Sequence, residues 1–188
     1  MLEIIAVIFG LLSVWFAKNN NIMVFPAGII SVTIYMFITF SAKLYADTGI
    51  NFYYLLMSIY GWVLWGSNNK KIKKNVSRVN NHELVISITL TLCFFFIIYY
   101  LLSFSDSDVA FFDSITTSLC LVAMLLMARR KIENWVYWII ADIIYVPLYI
   151  YKDLPLTSFQ FMVFLIIAIS GYNSWKKIIH ENNIHNRA

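Results

Sequence analysis

Asp142 lies near the middle of residues 132–153, IENWVYWIIADIIYVPLYIYKD, a stretch long enough to cross a bilayer. An ionisable group at that depth costs roughly 2.5–3.5 kcal/mol on insertion scales, so one is kept there mainly where it meets a partner or a ligand. Trp135, Trp138, Asp142, Tyr145 and Tyr149 step by 3, 4, 3 and 4 residues, which is one stripe of a 3.6-residue helix. A carboxylate among aromatic rings attracts a cation through its charge and through the ring quadrupoles, and the same rings stack on a flat ligand. The stripe therefore reads as the wall of a binding cavity inside a membrane protein.

Other apolar segments carry polar residues at helical spacing. Asn51, Tyr54, Ser58, Trp62 and Trp65 share one segment, and Asp113, Thr116, Thr117, Cys120 and Met124 another. Thr157, Gln160 and Asn173 fall in the last, with Gly171 suited to close helix approach. Plainer roles compete for some of these. Trp62, Trp65, Trp135 and Trp175 lie near one expected interface and suit anchoring in the headgroup region. Thr116 and Thr117 suit backbone or interhelical hydrogen bonds. Pro147 removes the hydrogen bond to the carbonyl of Ile143 and predicts a kink, which fits a hinge for alternating access and a fixed cavity wall equally well.

The elements that must position these groups follow from composition. The chain has 188 residues, 61% hydrophobic and 13% charged, with mean hydropathy +0.73. Soluble domains carry about 25% charged residues, so this is the composition of an integral membrane protein. Alternating strands are absent from the pattern, which predicts an all-α fold. Seven apolar spans are expected at roughly 2–17, 22–42, 49–67, 84–103, 108–128, 132–151 and 155–175. Cys93 and Cys120 fall within them and read as small core residues, not as a disulfide or metal set. The N-terminus MLEIIAVIFG has no basic region before its apolar run and reads as a retained helix.

Charge sets the orientation. With the loop at 68–82 in the cytoplasm, Lys18, Lys70, Lys71, Lys73, Lys74, Arg78, Arg129, Arg130, Lys131, Lys176, Lys177 and Arg187 are all inside, and only Lys43 and Lys152 are outside. The loop with Asp106 and Asp108 also falls outside, so the N-terminus is expected outside and the C-terminus inside the cytoplasmic membrane. The net charge of +4 sits in these short loops, which points to lipid headgroups and not to nucleic acid. A shift of 110 residues pairs Tyr35 with Tyr145, Gly61 with Gly171 and Trp65 with Trp175. The expected organisation is a single transmembrane domain over 1–188: one three-helix repeat at about 2–67, a linker helix at about 84–103, a second parallel repeat at about 108–175, and a cytoplasmic tail at 176–188.

Several functions are excluded. The last span has no Lys to carry retinal, and no GxxxxGK[ST] loop is present to bind ATP. His82, His180 and His185 form no cluster with the two Cys, so no catalytic pair, metal site or cofactor is expected. A carrier remains, with a SWEET-like sugar carrier and a non-transporting membrane sensor as rivals.

The chain resembles the PnuC-type vitamin transporters. The resemblance rests on Tyr60-Gly61-Trp62 with Trp65, on Phe112-Asp113-Ser114, and on Leu121-Val122-Ala123-Met124. It continues through Arg129-Arg130-Lys131 into Glu133-Asn134-Trp135 and Trp138. It implies a three-plus-one-plus-three helix fold, a homotrimer, and facilitated diffusion of nicotinamide riboside into the cell. Retention by a separate cytoplasmic kinase, with no direct contact to the carrier, is also implied. Carried onto this chain, it points to Asn51, Trp62, Asp113, Asn134, Trp138, Asp142, Tyr145 and Gln160 as substrate-binding residues. Asp142 and Tyr145 stand where nicotinamide riboside carriers commonly show Asn and Ser, and Phe112 where they show Trp. The segment from Asp142 through Tyr145, Pro147, Leu148 and Tyr149 to Lys152 is instead similar to the thiamine-transporting branch.

Overall fold

The computed structural model describes residues 2–67, 75–104 and 108–185. Lys70, Lys71, Lys73, Lys74, Asp106 and Arg187, which contribute to the orientation signal, lie outside the described residues. The described chain forms α1 (Leu2–Lys18), α2 (Val24–Ser41), α3 (Tyr45–Gly66), α4 (Asn81–Leu102), α5 (Ala110–Ala128), α6 (Glu133–Tyr151) and α7 (Pro155–His185). Among the described residues there is no strand, only an isolated bridge between Ser77 and Lys131. Helices α2, α4, α5 and α7 are long and apolar enough to cross a membrane by length and composition. Polar stripes dilute the hydropathy of α3 and α6, and α1 is the shortest helix at 17 residues.

The helices pack as three, one and three. In the first half α1 packs on α2 and α2 on α3; in the second α5 packs on α6 and α6 on α7. The halves meet through α3 against α5 and α1 against α7, and α4 lies against α5.

The backbone repeats the 110-residue offset more faithfully than the side chains do. Asn20 and Arg130 have φ of 50° and 55°, and Lys43 and Asp153 have φ of 61° and 57°. Each is the left-handed residue that ends a helix in a Schellman motif. Asn20 and Asn21 donate to the carbonyls of Ala17 and Phe16, as Arg130 and Lys131 do to those of Met127 and Leu126. Lys43 and Leu44 donate to Phe40 and Thr39, as Asp153 and Leu154 do to Ile150 and Tyr149. These turns leave almost no loop, so consecutive helices are held antiparallel.

One end of the bundle is locked by aromatic packing. Phe25 meets Trp65 edge-on with ring centroids 4.9 Å apart, and Trp135 meets Trp175 edge-on at 5.7 Å. These pairs are related by the same offset, and each presses on a glycine. A Cβ at Gly61 would run into the Phe25 ring, and one at Gly171 would lie 2.6 Å from Trp135. Trp65, Trp135 and Trp175 are 4%, 1% and 0% exposed. They are core residues, so the interfacial-anchor reading does not hold for them.

The helix ends depart from expectation in two places. Helix α3 starts at Tyr45 rather than near 49, because the α2 Schellman turn delivers the chain directly into it. Helix α7 continues to His185 instead of giving way to a tail at 176; its 31 residues make a rod about 46 Å long. Ile178 and Ile179 hold this extension against the tryptophan cluster.

The segment before α4 is stapled to the α5–α6 turn. Ser77 donates its N–H to Arg130 O at 3.1 Å and accepts from Ile132 N–H at 3.0 Å. Lys131 Nζ donates to Glu83 Oε2 at 2.7 Å, and Glu83 with Asn80 forms a reciprocal capping box that starts α4. The Arg130 guanidinium stacks 4.1 Å above Trp65, and burial lowers its pKa from the usual arginine value.

Candidate functional site

The stripe on α6 faces α5, α3 and α7, and these helices bring partners that the sequence scatters over more than a hundred positions. Asp142 is 3% exposed and sits beside Cys120 of α5. Among the described residues no hydrogen bond or ion pair reaches its carboxylate. A buried carboxylate without a protein partner is expensive, which makes the position the first candidate for a ligand contact.

Around it Leu119, Cys120 and Ala141 form a small buried nucleus with Tyr54, Ile115, Tyr137, Trp138, Ile144 and Tyr145 packed against it. The Cys120 thiol faces the hydroxyls of Tyr54 and Tyr145, and the Tyr145 hydroxyl also faces Thr116 and Thr117. Thr116 itself donates to the carbonyl of Phe112 at 2.7 Å, so its hydroxyl is already engaged with its own helix.

Toward the Lys152 end, the next layer is three stacked rings. Tyr145 and Phe161 of α7 have centroids 4.4 Å apart at 28°, and Tyr149 and Phe161 are 5.1 Å apart at 12°. Above them Lys152 Nζ donates to both carboxylate oxygens of Asp113, at 2.8 and 3.0 Å, and lies 5.5 Å from the Tyr149 ring. Asp47, in the first turn of α3, is within electrostatic reach of both members of that pair.

The structure thus gathers Trp138, Asp142 and Tyr145 into one packed cluster and places Asp113 at its Lys152 end. Asn51 is half-buried one turn before Tyr54 on α3, and its amide donates to Asp47 O at 2.9 Å. Gln160 is half-buried on α7, one residue before Phe161. Two expected residues stand elsewhere. Trp62 is 46% exposed, because the buried face of α3 is Ser58, Gly61 and Trp65. Asn134 is fully buried near the tryptophan lock, where its amide donates to Lys131 O at 2.6 Å.

Tyr54, Cys120, Tyr149 and Lys152 join the cluster and its outer layer, and the periodicity of α3, α5 and α6 points to the first three. Phe161 has no such signal, being one apolar residue in an apolar run. A water-sized cleft of about 30 Å³ between α4 and α5, walled by Glu83, Ser87, Val122 and Arg129 among others, shares no residue with this cluster.

Comparison with known proteins matches residues 1–177 to the family described as nicotinamide mononucleotide transporter. The chain belongs to that family. This makes it a multi-pass membrane protein of a transporter family, and not an enzyme family. A relative in Escherichia coli K12, the nicotinamide riboside transporter PnuC, is 25% identical over 93% of this chain and 84% of its own length. A protein of the same description from Neisseria mucosa is 24% identical over 95% of this chain and 73% of its own. A solved structure described as the vitamin B3 transporter PnuC superposes on this family member with a TM-score of 0.75. It covers 96% of this chain and 82% of its own at 22% identity, which makes the helical arrangement a shared fold.

Proposed function

We propose that this chain carries nicotinamide riboside into the cell by facilitated diffusion across the cytoplasmic membrane. The observation that supports this most is Asp142, buried and without a described protein partner, among Trp138, Tyr145 and Tyr54. Nicotinamide riboside bears a positively charged aromatic ring, and a carboxylate with aromatic walls suits it. The names of the relatives agree with this ligand. In this reading Asp142 meets the ring's charge, Trp138 and Tyr145 enclose it, and Asn51 and Gln160 read the ribose hydroxyls.

Thiamine is the second reading, supported by Asp142, Tyr145 and Lys152 in the pattern of α6. It also contains a cationic aromatic ring, so the acidic, aromatic cluster suits both. Calorimetric titration of the purified protein with both vitamins tests the proposal. Binding of nicotinamide riboside, with flux in liposomes, supports it. Binding of thiamine alone moves the function to that branch, and binding of neither by folded protein overturns both.

The N-terminus is placed outside and the Lys152 end of the bundle faces out, on the strength of Lys18, Arg78, Arg129, Arg130, Lys131, Lys176 and Lys177 at the other end. Assembly as a homotrimer and trapping of the imported vitamin by a separate cytoplasmic kinase complete the proposal. Native mass spectrometry from detergent tests the first, and uptake with and without the kinase reaction tests the second.

A further inference from the structure

The Lys152 end of the cluster already holds a cation. Lys152 stands at the C-terminal cap of α6, where Asp153 at φ 57° turns the chain, and its ammonium bridges both oxygens of Asp113 beside the Tyr149 ring. A carboxylate and an aromatic face are the same two contacts that Asp142 and its neighbours offer ten residues, or about 15 Å, deeper along α6. Asp47 brings α3 to the same point. Directly beneath, Tyr149, Phe161 and Tyr145 stack across α6 and α7.

We infer that Lys152 is a tethered cation that occupies an outer subsite, and that an incoming positively charged ring must exchange for it on Asp113 and Tyr149 to enter. The inference rests on the carrier reading above and on the Lys152 end facing out. As glue the pair is weak, since its side chains are 27% and 25% exposed and such ion pairs add little to stability. As an exchange partner it is well placed, because Asp113 keeps a counter-charge throughout. A neutral or anionic solute offers Asp113 nothing in return and leaves Lys152 in position, so the pair also discriminates among solutes. Lys152 is in this sense a specificity-determining residue.

Cys120 reports on the exchange because its thiol lies under Tyr145, below the stacked rings. With exposed Cys93 replaced by Ser, right-side-out vesicles are treated from outside with impermeant methanethiosulfonates, one cationic and one anionic. Lys152→Met and, from the other side of the pair, Asp113→Asn should each speed modification of Cys120 by both reagents, roughly tenfold. Lys152→Arg should stay slow. A change in field alone would speed one reagent and slow the other. Equal rates with and without the pair, zero included, overturn the inference, as does acceleration of one reagent only. Thermal unfolding confirms that each variant is folded. The assay contains no vitamin, so its failure is separate from failure of the proposed substrate, and inside-out vesicles check the orientation.

Discussion

Trp65 and Trp175, with ring centroids 6.1 Å apart, each donate an indole N–H to the half of the molecule they do not belong to. Trp65 of α3 reaches Ala128 O at the end of α5, at 3.0 Å, and Trp175 of α7 reaches Ala17 O at the end of α1, at 2.9 Å. At α5 the indole supplies Ala128 O with a donor, and at α1 it is a second donor to Ala17 O beside the Asn20 N–H; the exchange ties the two repeats at the end opposite Lys152.

Trp65→Phe should therefore destabilise the protein by about 1–3 kcal/mol, since it strands a buried carbonyl, and Trp175→Phe by less, since Ala17 O keeps the Asn20 N–H. Unfolding in mixed micelles measures both. Equal losses would show that the Asn20 N–H does not make up for the indole at Ala17 O.

The glycines divide by what surrounds them. Gly171→Ala sets a Cβ against the Trp135 ring and Gly61→Ala against Phe25, and each should cost about 1–3 kcal/mol by overpacking. Gly49→Ala meets nothing within 4 Å and should be neutral or stabilise α3 by up to about 1 kcal/mol. Thermal midpoints of the three variants test the contrast.

Asp142→Asn should retain membrane insertion and the unfolding temperature of the parent or better, because it removes a buried charge. Affinity for the cationic vitamin should fall at least about tenfold, or 1.4 kcal/mol. Calorimetry beside a melting curve reads both, and wild-type affinity would remove Asp142 from the site.

Lys131→Met removes the ammonium that joins Glu83 to the carbonyl of Arg78. Hydrogen exchange should then quicken at residues 75–83 while α6 and α7 are unchanged. Unaltered exchange at 75–83 would mean that the Ser77 bridge and the Val79 N–H bond to Glu133 hold the staple without it.

The parts of the site visible in the sequence are those in which helical period and residue type agree. Trp138, Asp142 and Tyr145 contrast with their apolar neighbours, so their common face shows. Phe161 has no such contrast, and only packing tells which of the phenylalanines of α7 turns inward. Trp62 and Trp65 differ in rotation about α3: Trp62 lies about 100° round from buried Gly61, a setting decided by Phe25 filling the glycine notch. The Asp113–Lys152 pair spans 39 residues, and nothing local links its members. The repeat was legible only in part, since Asn20 and Arg130, or Lys43 and Asp153, keep one backbone conformation with unrelated side chains. The last helix was underestimated because polar residues after Trp175 look like a tail until Ile178 and Ile179 are seen packed.

The bond from Trp175 to Ala17 joins residues 158 apart in the chain. During synthesis, the first helix emerges with its Ala17 carbonyl held only by the turn at Asn20, and its second donor arrives when the seventh helix is delivered from the ribosome. The amino-terminal half therefore waits in the bilayer as an open three-helix sheaf, and the last helix made is the one that latches it.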